Sequence, residues 1–216
     1  MKPFVAAVLL LASSMTALDA ATEQEVVNRS ATILRNFRAM PETGIPDAVL
    51  RNARGLAVMT VVKVGFGLSG QGGQGVVVAR TGGGWSGPSF IGTGGIGWGL
   101  QIGAQISEFV FVLNTRDAVR AFSQDGNVTL GADISAAAGP VGRDLQANIA
   151  PVAAIYTYSR AKGLFAGISL EGKIIATQKT ANERFYGGPV SASQILTGRM
   201  PAPARAARLR AALRGY

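Results

Sequence analysis

Histidine and cysteine are both absent from this chain of 216 residues. That absence removes most nucleophilic chemistry at once: neither a Ser-His-Asp nor a Cys-His arrangement can be assembled. Zinc sites built on Cys or His ligands are excluded for the same reason. Carboxylates remain for acid–base work, chiefly Glu108, Asp117, Asp125, Asp133, Asp144, Glu171 and Glu183 past the first helices. None of them clusters closely enough to form a calcium loop. A distant pair such as Asp133 and Glu171 would do glycosidase-type work only if the fold brought the two together. Their spacing reads as turn and surface carboxylates. Two stretches, 65–70 and 92–97, match G-x-G-x-x-G. A dinucleotide site needs a helix directly after the last glycine, so that its first N–H groups meet pyrophosphate. Both matches run on into strand-like sequence instead, so no cofactor is expected.

What is left is cationic, and the chemistry of cations is anion binding. Lys and Arg number 21 against 12 Asp and Glu, a formal net charge of +9. No acid follows Glu183, whereas Arg184, Arg199, Arg205, Arg208, Arg210 and Arg214 do. Arg29, Arg35 and Arg38 fall in a predicted first helix, away from its apolar stripe. Lys63 sits inside an apolar strand, and Arg160 and Lys162 fall at a predicted hairpin tip. With Arg205 and Arg208 these form the candidate lipid-binding set. Such a charge favours phospholipid headgroups, nucleic acid or an acidic protein surface. The N-terminus narrows the choice. Lys2, an apolar run over 4–12 and small residues up to Ala20 and Ala21 read as a secretory signal peptide over residues 1–20. An exported chain, periplasmic or secreted, meets envelope lipid rather than nucleic acid.

These side chains need elements to hold them. Residues 22–40 read as a helix opened by a Thr22-x-x-Glu25 capping box, with Val26, Ile33, Leu34 and Phe37 on one face. Its expected role is either a helix docked on a core or one lying on a membrane surface. A short second helix follows Pro46. From Gly55 the period changes to that of strands: 55–64, 75–80, 85–90, 96–106 and 109–113, with glycine-rich turns expected at 65–73 and 82–84. In 96–106 the bulky residues Ile96, Trp98, Leu100, Ile102, Ala104 and Ile106 alternate with Gly and Gln. The bulky side is expected to face the core and the bare side to admit another element closely. Asn114 or Thr115 is expected to cap a helix to Phe122, followed by a strand at 128–132. Residues 134–150 read as irregular. A hairpin is expected from strands 152–159 and 164–170. Helices with capping boxes at Thr180 and Ser191 and a basic helix from Pro203 complete the chain. Trp85 is a candidate interfacial anchor. The expected fold is α+β: a strongly curved antiparallel sheet flanked by N- and C-terminal helices, one domain over 21–216.

Several segments resemble the SYLF-domain family, also described as the yeast-type actin-binding domain family. They are Arg54-Gly55-Leu56-Ala57-Val58, the glycine-rich stretch 65–76, Trp85-Ser86-x-Pro88-Ser89, Gly97-x-Gly99-x-Gln101-x-Gly103 and 158–172. The resemblance covers Arg54 to about Tyr186. It implies a lipid-binding module without catalytic residues, binding phosphoinositides partly through an N-terminal amphipathic helix, with actin filaments bound by some members. Bacterial members of the family are exported envelope proteins, and this chain lacks their lipobox cysteine. The expectation is thus non-enzymatic binding of an anionic phospholipid membrane through cations and an amphipathic helix. The alternative is a module that binds an envelope or filament protein through the glycine-faced sheet.

Overall fold

The computed structural model describes residues 21–40, 44–140, 153–163, 174–214 and 216. The signal segment, residues 164–170 of the expected hairpin, Asp144 and Glu171 lie outside them. Helix α1 spans Glu23–Ala39, and Thr22 and Glu25 form the capping box read from the sequence. Helix α2 follows at Asp47–Asn52. Two long strands then dominate, β1 (Gly55–Thr81) and β3 (Ser89–Leu113), joined through the short strand β2 (Gly84–Trp85). Thr115 caps α3 (Arg116–Ser123) by accepting from the Ala118 N–H. Short strands β4 (Asn127–Thr129) and β5 (Ala136–Ala138) come next, then β6 (Ile155–Gly163) and β7 (Ile174–Thr177). Helices α4 (Lys179–Tyr186), α5 (Ala192–Leu196) and α6 (Ala207–Leu213) close the chain, with a 3₁₀ turn at Ala204–Ala206 before the last.

The fold is α+β with a strongly curled, glycine-rich sheet between N- and C-terminal helices. Seven strands run β2-β1-β3-β6-β5, with β7 joining β3 and β4. All pairs are antiparallel except β5 with β6, a parallel pair whose β5 lies inside the stretch read as irregular. The expected turn at 65–73 is strand: β1 continues through it, paired to β3 from Gly55↔Leu113 to Val77↔Ser89, with a register shift between Phe66 and Leu68. Glycine there serves curvature rather than a turn. Gly103, opposite Gly65, has φ +136°, a conformation that L side chains rarely adopt. Further along, β1 crosses back over its own first half. A Cβ on Gly75 would overlap the Val58 carbonyl, and one on Gly73 would lie 3.0 Å from the Thr60 carbonyl oxygen.

Alternate residues of each strand face opposite sides, and each side has its own core. On one side Leu56, Val58, Val76, Val110, Val112, Tyr156 and Tyr158 pack against Val27, Leu34 and Phe37 of α1, Phe185 of α4 and Leu209 and Leu213 of α6. On the other, Met59, Val61, Val77, Phe109, Phe111 and Leu113 pack against Ala118 and Phe122 of α3 and Leu196 of α5. The two glycine fingerprints lie within β1 and β3, with no helix directly after either. The Ser191 capping box forms, but the Thr180 one does not, because α4 starts at Lys179 with Gln178 as its cap. Trp85 is no interfacial anchor: it packs on the first core beneath the Arg80 guanidinium, 4.6 Å from the ring centroid.

Candidate binding surface

The apolar faces of α1 and of the basic C-terminal helix α6 are spent inside the fold. In α1, Val27 and Leu34 are fully buried and Ile33 and Phe37 almost so. In α6, Leu209 and Leu213 are buried as well. Neither helix can turn its apolar face to a bilayer without leaving the core. The helix that lies on a membrane surface, one of two roles open to α1 from sequence, is thereby corrected to the docked role.

Exposed apolar surface occurs instead on the sheet. Successive rows across β1, β3 and β6 run Val58–Val110–Tyr158, Thr60–Glu108–Arg160 and Val62–Ile106–Lys162, then Val64–Ala104. The first row is buried under α1. The second is polar, and beyond it Ile106 is 47% and Val64 39% exposed. Ile96, further along the ribbon as the register partner of Gly70, is 85% exposed, and Ile174 of β7 is 51% exposed. The expectation that Ile96 and Ile106 face the core is therefore overturned. At Gln105 the bare face is the buried one. The side chains of 97–102 lie outside the described residues.

These rows open into a cleft of about 1130 Å³ between the curled ribbon and the N-terminal half of α1. Its wall includes Thr60, Val62, Val64, Ile96 and Ile106, glycines of both long strands, Gln71, Thr93 and Gln178, and Val26, Arg29 and Ser30 of α1. Arg29 is the charged residue among the described lining, and it is exposed at the rim. The Gln71 side-chain Nε2 is buried without a hydrogen-bond partner. Among the described residues no cluster of His, Cys, Asp or Glu could hold a metal. No helix among them is long and apolar enough to cross a membrane.

The other sequence-predicted cations do not converge on Arg29. Nine residues are two and a half helical turns, so Arg38 points away from it and lies over the Tyr216 ring, 5.5 Å from the centroid. Burial pushes the Tyr216 phenol up to about 12, and it donates to the Leu34 carbonyl at 2.5 Å. Arg35 stays exposed and donates to Thr32. Arg160 is not at a hairpin tip. It sits within β6, where its Nε donates to Glu108 Oε2 at 2.9 Å and its Nη2 pairs with the same oxygen. Arg205 caps the end of α4 through the Arg184 and Phe185 carbonyls, and stands 4.4 Å from the Phe185 ring centroid. Lys63 shares the strand side of Val61, opposite to the cleft, and is half-buried beside its register partner Gln105. Lys162 is the register partner of Ile106. Arg208 is exposed on α6. Sequence reasoning missed Gln71, Ile96 and Ile106 as surface features. Alternation marks a two-sided strand, but not where the helical cover stops.

A family model described as "Ysc84: Las17-binding protein actin regulator" matches residues 94–216, more than half of the chain. LAS seventeen-binding protein 3 of Saccharomyces cerevisiae is 48% identical over 164 residues, covering 74% of this chain and 36% of that protein. The chain belongs to the Ysc84 family. The SYLF resemblance is the same assignment. Other Ysc84 relatives are SH3 domain-containing YSC84-like protein 1 of Homo sapiens and SH3 domain-containing protein PJ696.02 of Schizosaccharomyces pombe. The first is 45% identical, covering 82% of this chain and 54% of its own length; the second is 46% identical, covering 75% and 39%. This Ysc84 domain thus spans about a third to a half of the relatives it matches.

Proposed function

We propose that this Ysc84 domain is a non-catalytic module that binds anionic phospholipid at a membrane surface through the open end of its sheet. The observation carrying this reading is the juxtaposition of exposed Ile96, Ile106 and Val64 with Arg29 at one cleft. Apolar side chains standing free beside a cation match the boundary between acyl chains and charged headgroups. Each cation near an anionic bilayer contributes about 1 kcal/mol, and the net charge of +9 adds long-range attraction. The two helices serve as scaffold. Export to a periplasmic or secreted location is part of the same proposal, and N-terminal sequencing of the mature protein would test it.

Co-sedimentation with vesicles decides the central point. The domain is expected to pellet with vesicles containing anionic phospholipid, to stay in solution with neutral ones, and to be released by salt. Equal binding to both kinds, or to neither, would sink the proposal.

The family description and the names of the relatives support a second reading, a protein-binding module of the actin pathway. Co-sedimentation with actin filaments, free of lipid, separates the two.

A further inference from the structure

We propose that the cleft is a site for one amphiphile: an aliphatic chain ending in an anionic group. The inference rests on the membrane-surface reading and deepens it, since the same end of the sheet would hold a single chain rather than only lie against many. Size is the first argument. At about 1130 Å³ the cleft exceeds the roughly 300–1,000 Å³ of most small-molecule sites. Its lining is the second. Val62, Val64, Ile96 and Ile106 offer branched aliphatic surface without a described aromatic ring, suited to methylenes rather than to a flat ring system. Between them run glycines whose missing side chains leave room. A Cβ on Gly72 would meet nothing within 4 Å. Charge and hydrogen bonding are the third. Arg29 at the rim and the unpaired Gln71 Nε2 both donate, and no described carboxylate lines the cleft. A buried donor without a partner is a standing cost that a carboxylate or phosphate oxygen would relieve. The cleft therefore discriminates by charge at one end and by chain length along the rest.

A free fatty acid and a chain of a membrane phospholipid share this chemistry, so the test has an arm for each. In the first, the full chain is titrated with cis-parinaric acid, a fluorescent fatty acid, below its micellar concentration. Saturated carboxylates of decreasing length and oleyl alcohol then compete. One probe per chain is expected. Affinity should fall about fourfold per methylene removed, the equivalent of about 0.8 kcal/mol per buried methylene. Arg29→Gln should weaken carboxylates about tenfold and leave the alcohol unchanged. Gly72→Leu, which fills open space, should weaken both while leaving the circular dichroism spectrum intact. Binding that ignores chain length, or that survives Gly72→Leu unaltered, would overturn the site. The second arm repeats anionic vesicle co-sedimentation with the same proteins. Vesicle binding without fatty-acid binding overturns the cleft and leaves the surface reading standing. Fatty-acid binding without vesicle binding does the reverse.

Discussion

Asn182 ties the helical layer to the sheet through one side chain. Fully buried on α4, it accepts from the Phe90 N–H at 2.7 Å and donates to Ser89 Oγ at 3.3 Å. Phe90 belongs to the strand that carries Ile96, so this amide braces the wall of the cleft from behind. Asn182→Ala would leave a buried N–H without an acceptor and is expected to cost about 2 kcal/mol in urea unfolding. A loss below about 0.5 kcal/mol, ordinary for a surface substitution, would show that the amide carries no part of the join. The arginines show how residue type misleads when read alone. Arg160 and Arg205 look like headgroup ligands in sequence, yet one is held by Glu108 and the other by the carbonyls ending α4. A guanidinium satisfies neighbouring acceptors first, and sequence does not show which acceptors the fold brings near. Arg29 lines the cleft from α1, with the Glu25 carboxylate one helical turn away as its electrostatic neighbour.

At the scale of elements, local chemistry was readable where partners lie within one helical turn and no long-range contact intervenes. The Thr22–Glu25 and Ser191–Gln194 boxes form as their spacing predicts, and of Asn114 and Thr115 it is Thr115 that caps α3. The Thr180 box fails through a long-range contact. Gln178 N–H donates to the Phe90 carbonyl at 2.9 Å, which fixes where the chain leaves the sheet and starts α4 two residues early. The start of α1 gives a pH-dependent expectation. Burial alone would raise the Glu23 carboxyl, but a backbone N–H and Arg184 outweigh it and hold it below its ordinary 4.5. The Thr22 N–H and hydroxyl hold Glu25 below 4.5 as well. Folded values depressed below unfolded ones give stability that is complete above about pH 4.5 and is lost as pH falls through the folded values. The protection factors of amides at the start of α1, taken relative to intrinsic exchange at each pH, should therefore fall below that point. The acid-sensitive part should disappear in a protein carrying both Glu23→Gln and Glu25→Gln. Unchanged protection across the range would refute the link. Thr22→Ala is expected to cost about 1 kcal/mol at neutral pH.

Across the whole molecule, the α+β class and the curved sheet followed from glycine punctuation and alternating strands. The placement of the sheet's open end did not. Alternation over 96–106 marks a two-sided strand, but which side is covered depends on how far α1 and α6 reach along the ribbon. That reach is set by packing between elements distant in sequence. Past the row of Thr60 the helical cover gives out over Val64, Ile96 and Ile106, which are exposed. Ile96→Ser should accordingly leave stability within about 0.5 kcal/mol, because Ile96 is already 85% exposed. The same change should weaken anionic-vesicle binding severalfold in co-sedimentation. An unaffected vesicle affinity would remove Ile96 from the surface.

The crossing of β1 over itself has a consequence for how such a domain can diversify. Where Gly73 and Gly75 lie on the carbonyls of Thr60 and Val58, main chain touches main chain. The separation between the walls there is dictated by backbone thickness and does not relax when a nearby side chain is exchanged. Val62, Val64, Ile96 and Ile106 take no part in that contact. A lineage can therefore replace the lining and change what the cavity admits, while its frame keeps the same dimensions.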